Sequence, residues 1–99
     1  MNTVNIAGKI IEEPVKATSS SGIKLAKFKV AIDKHDKDGN VNGDDSYEVV
    51  VFRELADLNI KLGQFVGITG KLTANNYEKE GKKYYNCSIV GNSISLLGN

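Results

Sequence analysis

The chain predicts an all-β fold with one short helix, arranged as a five-stranded Greek-key barrel. Three observations carry this. From Ile23 to Ile32, Ala26, Phe28, Val30 and Ile32 take one parity and Leu25, Lys27, Lys29 and Ala31 the other, the period-two pattern of a half-buried strand. Glu54 to Leu62 changes to helical spacing, with Leu55, Leu58 and Leu62 in step and Gly63 suited to end the helix. Gly67 and Gly70 then fall inside the next strand pattern, costly in a flat strand and useful where a small barrel bends sharply.

The first strand covers Val4 to Ile11, with Val4, Ile6, Gly8 and Ile10 on one parity. Glu12-Glu13-Pro14 interrupts it, and Val15 to Thr18 resumes as a bent or edge segment, because proline cannot donate to a ladder. Ser19-Ser20-Ser21-Gly22 is a turn by composition, and Ile23 to Ile32 is the second strand. Asp33 to Asp45 is too polar to bury and is predicted as a long hairpin loop. Its alternating Asp and Asn resemble a calcium loop. However, the glutamate expected about six residues after the glycine is missing, and no helices flank it. Strand three is Ser46 to Phe52. After the helix, strand four runs from Phe65 to Ala74 with Val66, Ile68 and Leu72 inward. Glu78 to Lys82 is a hairpin tip, strand five covers Lys83 to Val90, and Ser93 to Leu97 is a short extension. Tyr84 and Tyr85 take opposite faces of strand five, and Tyr85 is assigned to the core.

Ninety-nine residues suit one core, hence a single domain spanning 1–99. No stretch approaches the roughly 20 apolar residues of a membrane helix, and Met1-Asn2-Thr3 lacks the features of a signal peptide. The single cysteine, Cys87, cannot form an internal disulfide, fits a reducing cytoplasm, and is expected as a buried, inert thiol. Net charge is +1 and pI near 7.8, below the strongly basic range of many nucleic-acid binders, which counts against a reader of duplex phosphates. The charge is nevertheless segregated. Lysines gather at Lys24, Lys27 and Lys29 and again at Lys79, Lys82 and Lys83, and acids gather from Asp33 to Asp45.

Three strands, a short helix and two strands is the element order of the OB-fold, a Greek-key barrel that binds oligonucleotides on its second and third strands and adjoining loops. Phe52 ends the run Tyr47-Glu48-Val49-Val50-Val51-Phe52, and Tyr77 shares strand parity with Lys71, Thr73 and Asn75. An aromatic ring on a polar, lysine-bearing face gains little from packing and much from stacking on a nucleic-acid base, at roughly 1–3 kcal/mol per base. Phe52 and Tyr77 are therefore the candidate stacking residues. The candidate phosphate contacts are Lys9, Lys27, Lys29, Lys71, Lys79, Lys82 and Lys83. Structural roles compete: Phe52 as a plug for the barrel end, Tyr77 as cover for its hairpin, and Tyr47 at a subunit interface instead of against DNA. Catalysis is poorly supported. His35, the only histidine, lies in the acidic loop without a nucleophile nearby, and no phosphate-binding glycine fingerprint is present. No enzyme activity, metal or cofactor is expected.

An ordered set of segments resembles the bacterial-type single-stranded DNA-binding proteins over nearly the whole chain. They are Asn5-Ile6-Ala7-Gly8-Lys9-Ile10, Lys27-Phe28-Lys29-Val30-Ala31, Val49-Val50-Val51-Phe52-Arg53-Glu54-Leu55-Ala56, Leu62 to Leu72, Tyr85 and Ser95-Leu96-Leu97-Gly98. The resemblance implies that Phe52 is a base-stacking phenylalanine and that Tyr77 takes the place of an aromatic, often tryptophan, on the last hairpin. Two family tryptophans fall on Ser46 and near His35 or Asp36, and the chain has no tryptophan, so it has fewer stacking platforms. The family also commonly ends in a flexible tail with acidic residues, whereas this chain stops at Gly98-Asn99. It is thus expected to be a minimal phage or mobile-element form, or a truncated one.

Further implications of the resemblance are single-stranded DNA as ligand in replication, recombination and repair, and a location in the bacterial cytoplasm or in a phage host. Self-association through strand one, near Val4, Ile6 and Lys9, as a homodimer or homotetramer is implied as well, along with contacts to replication or recombination proteins. The alternatives from other classes are a primosome-type replication adaptor and a purely protein-interacting OB module.

Overall fold

Six strands form, and five of them close on one another. They are β1 (Val4–Ile10), β2 (Val15–Thr18), β3 (Lys24–His35), β4 (Val41–Phe52), β5 (Phe65–Lys79) and β6 (Lys82–Gly98), with a 3₁₀ turn at Arg53–Asp57 between β4 and β5. In this computed structural model the backbone is described over residues 1–98 and the side chains over 1–74, 78–84 and 87–98. The spatial order is β1-β5-β6-β4-β3, and β1 returns to β3 through Lys9–Ala31 and Ile10–Val30 to shut the barrel. Neighbours are antiparallel except β4 and β6, which run parallel at Val49–Ile89 and Val50–Val90. This is the OB-fold. β2 lies on the same edge of β3 that receives β1, so the two are one strand broken at Glu12-Glu13-Pro14, as the proline requires.

The inward parities meet in one core. Ile10, Phe28, Val30, Val49, Val51, Val66, Ile68 and Ile89 are buried, with Ala56 and Ile60 capping them from the β4–β5 connection. Closure of β1 on β3 needs a residue without a side chain at Gly8. A Cβ there would run into the carbonyl oxygen of Ala31 and reach 2.7 Å from Val30 Cγ1. Gly70 marks a second close approach. The β5–β6 register shifts between Thr69 and Gly70, and a Cβ at Gly70 would strike the Val90 carbonyl. Gly67 is different, since a Cβ there meets only Leu97 at ordinary contact distance, 3.5 Å.

Several sequence expectations are corrected. The predicted helix Glu54–Leu62 is only the 3₁₀ turn Arg53–Asp57, because Phe52 provides no capping side chain and Leu58 is already extended. Farther on, Ile10 takes the next residues into strand-like pairing. Its N–H donates to the Gln64 carbonyl at 2.9 Å and its carbonyl accepts from Gly63 N–H at 2.8 Å. The predicted loop Asp33–Asp45 contracts to residues 36–40. There the Asp36 carboxylate accepts from the N–H groups of Asp38 at 2.9 Å and Asn40 at 3.0 Å. The hairpin tip contracts to Glu80-Gly81, whose φ values of 53° and 78° are those of a two-residue type I′ turn. β5 and β6 therefore continue past the barrel as an arm. Leu72, expected inside, is 48% exposed, and Cys87, expected buried, is exposed, because the β1 ladder begins opposite Gly70 and beyond it only the Asn2 side chain reaches β5 among the described residues, bonding the Leu72 backbone.

Substitution tests the closure directly. Gly8→Ala is expected to lower stability by about 1–3 kcal/mol through overpacking against β3, whereas Gly67→Ala stays within about 0.5 kcal/mol of the parent. Thermal unfolding followed by circular dichroism reads both.

Candidate nucleic-acid interface

Strand register assembles one outward face. In the β3–β4 ladder the pairs Ala26–Val51 and Phe28–Val49 point into the core, so Leu25–Phe52, Lys27–Val50 and Lys29–Glu48 point out. The parallel pair Val50–Val90 extends that face to β6, and the pair Val90–Lys71 extends it to β5. A single row, Lys27, Val50, Val90 and Lys71, thus crosses four strands, with a buried Val50 (8% exposed) and a half-buried Val90 between two exposed cations. Its end strands lie about 14 Å apart, three inter-strand steps of ~4.8 Å. Phe52 stands beside the row, opposite Leu25 and on the outward parity, and is 38% exposed.

The arm prolongs this surface. From Gly70–Gly91 to Lys79–Lys82 the register is uninterrupted, which keeps Lys71, Thr73, Ser88 and Val90, and farther out Lys79, Lys82 and Tyr84, on one parity. Thr73 and Ser88 tie the two strands through their hydroxyl oxygens at 3.0 Å. Tyr84, 39% exposed, is a candidate not singled out as a ligand in the sequence. Its signal is symmetry about the turn, since Tyr77 and Tyr84 each stand three residues from Glu80-Gly81 and are paired in register. The Tyr77 side chain lies outside the described residues. So does that of Tyr85, the tyrosine assigned to the core.

The candidate lysines separate into groups. Lys27, Lys71, Lys79 and Lys82 share the face and make no ion pair among the described residues. Lys29 shares it too, but its ammonium sits 3.5 Å from the Glu12 carboxylate. Lys83 is paired with Glu78 on the opposite parity of the arm. Lys9 is displaced: on β1 it stands between Ala31 and Phe65, at a groove that also carries Asp33 and Asp44. The interface candidates also resolve. Val4 and Ile6 have inward parity and are half-buried against the core. Tyr47 has inward parity, opposite Val30, but lies at the open barrel end and is 41% exposed. Among the described residues, no cluster of histidine, cysteine and carboxylate groups is placed to hold a metal, and no helix is long and apolar enough to cross a membrane.

The family described as the single-strand binding protein family matches residues 1–97. The chain belongs to that family. Among curated relatives, single-stranded DNA-binding protein 1 of Staphylococcus aureus (strain MSSA476) is 30% identical over 104 residues, covering 98% of this chain and 65% of the relative. Single-stranded DNA-binding protein 3 of Listeria innocua is 30% identical over 103 residues, covering 98% and 64%. The chain thus spans just under two thirds of the length of these relatives. Two solved structures share the fold. A deletion mutant of the Thermus aquaticus single-stranded DNA binding protein superposes with a TM-score of 0.82 at 19% identity, over 100% of this chain and 51% of that one. The Plasmodium falciparum single-strand binding protein in complex with single-stranded DNA gives 0.80 at 20% identity, over 100% and 95%.

Proposed function

We propose that this single-strand binding family member binds single-stranded DNA with little sequence preference, as a non-enzymatic domain formed by residues 1–99. The observation that carries the proposal is the continuous outward face on which register sets Phe52, Val50 and Val90 among Lys27, Lys71, Lys79 and Lys82. Bases stack on the ring and lie over the aliphatic row, while the lysines neutralise phosphates. Duplex DNA hides its base faces, so single strands are preferred without any base-edge code. The names of the relatives and the DNA-bound Plasmodium structure support this reading. The proposal extends to protection of single strands during replication, recombination and repair, to a cytoplasmic setting in a cell or phage host, and to contacts with replication or recombination proteins.

Tyrosine fluorescence is the natural probe, because the chain has no tryptophan. Oligo-dT is expected to quench it in a salt-sensitive manner, with little response to duplex. Absence of quenching and of a gel shift at low salt would refute the proposal. Replacing Phe52, Tyr77 or Tyr84 by alanine should each weaken binding by about 1–3 kcal/mol. Four unpaired lysines on the face predict a log–log salt slope of about −2.8 per subunit, at ~0.7 per phosphate, and Lys27→Gln should reduce its magnitude by ~0.7. Glu12→Gln, which releases Lys29, should tighten binding and steepen the slope.

Self-association is part of the same proposal. β1 is paired with β5 from Val4 to Lys9, but on its other edge it meets β3 only near Lys9 and Ile10. The backbone of Val4 to Ala7 is therefore an open edge suited to pairing with a second copy. Two or four linked faces raise affinity by avidity beyond what one short groove supplies. Sedimentation at micromolar concentration should give a dimer or tetramer mass; a monomer would remove this element of the proposal.

A further inference from the structure

Glu48 is out of character with its surroundings. It stands on the outward face between Val50 and Ser46 along β4, opposite Lys29 on β3. Among the described residues from Leu25–Phe52 to Ala31–Ser46, it is the one acid on a face otherwise made of lysines, small residues, aliphatic residues and Phe52. Its register neighbour Lys29 forms no ion pair with it; the Lys29 ammonium turns instead to Glu12, 3.5 Å away. The carboxylate is exposed, makes no ion pair among the described residues, and lies in the middle of a surface that is to hold a polyanion. Repulsion of phosphates is the cost of such a group, and a hydrogen-bond donor on the ligand is what offsets it.

The donors available on a single strand are those of the base edges. Glu48 lies four residues from Phe52 along β4, about 14 Å at ~3.4 Å per residue, so it does not meet the base stacked on that ring but a neighbouring one. In a single strand the Watson–Crick edge is open to side chains. Guanine alone presents two parallel donors there, N1–H and the N2 amino group, which match the two oxygens of a carboxylate. Cytosine and adenine offer one amino group beside an acceptor. Thymine offers an imino N–H between two carbonyl oxygens that a carboxylate repels.

Resting on the single-stranded DNA reading above, we propose that Glu48 is a specificity-determining residue that accepts from the guanine Watson–Crick edge, giving an otherwise tolerant face a local preference for guanine over thymine. The contact forms at a solvent-exposed position, so its discrimination lies at the low end for bidentate base contacts, about five-fold in affinity.

Fluorescence anisotropy with three labelled strands of equal length tests this: all thymine, thymine with isolated guanines, and the same strand with hypoxanthine in place of guanine, which lacks the N2 amino group. For the unaltered protein the guanine strand should bind about five-fold tighter than the hypoxanthine strand. In Glu48→Ala the guanine-to-hypoxanthine ratio should fall to one, while all-thymine binding tightens as a negative charge leaves the face. Glu48→Gln, of the same shape, should also lose the preference, because one of its two terminal atoms is a donor. A ratio of one in the unaltered protein, or a ratio unchanged by either substitution, would overturn the proposal. Failure of the unaltered protein to bind any of the three strands would instead overturn the single-stranded DNA reading, and this inference with it.

Discussion

The parallel contact between β4 and β6 is the constraint on which the rest depends. Two hairpins, β3–β4 and β5–β6, each carry half of the outward face; β1 joins them on one side of the barrel, and the pairs Val49–Ile89 and Val50–Val90 join them across the face itself. Those pairs bury Val49 and Ile89 in the core and leave Val50 and Val90 as the centre of the row between Lys27 and Lys71. Parallel pairing demands a long crossover, supplied here by the 3₁₀ turn, the extended stretch after it and β5. The barrel that results leaves one face for a ligand and keeps the core continuous beneath it.

Economy of aromatic residues shapes the chemistry of that face. Where a ring-rich surface would draw most of its affinity from stacking, this one presents Phe52 beside an aliphatic row and relies on lysines that are not held by acids of the same molecule. If the proposed binding is mainly electrostatic it weakens steeply with salt, and the proposed linkage of subunits through the open edge of β1 would then contribute more than in a protein with more platforms. Two acids bear on the same surface: Glu12 engages Lys29, and Glu48 stands opposite Lys29 in the β3–β4 ladder.

Much of this was legible in the sequence. The alternation from Ile23 to Ile32 placed Phe28 and Val30 inward and Lys27 and Lys29 outward, and the structure agrees. The order of elements sufficed for the barrel class. What escaped was whatever tertiary pairing decides. Asp33 to His35 and Val41 to Asp45 form strands although most of their side chains are polar, because each ladder continues from a buried one and needs no apolar face of its own. Leu55, Leu58 and Leu62 have helical spacing, yet Ile10 captures Gly63 and Gln64, and the helix stops after one 3₁₀ turn. Leu72 and Cys87 looked like core because periodicity carries no information about where the barrel ends. Lys9 and Lys83 failed to join the face for a related reason. Charge patterning identifies lysines, but only register assigns them to a side.

The most direct measurement is a map of backbone amide chemical shifts on titration with oligo-dT. The face described here predicts that the perturbed amides cluster at Leu25 to Lys29, Glu48 to Phe52, Ser88 to Val90 and Lys71 to Thr73, with Asn5 and Ala7 on β1 and Gly67 at the start of β5, on the far side, unmoved. Perturbations centred on that far side, with Phe52 and its row silent, would contradict it.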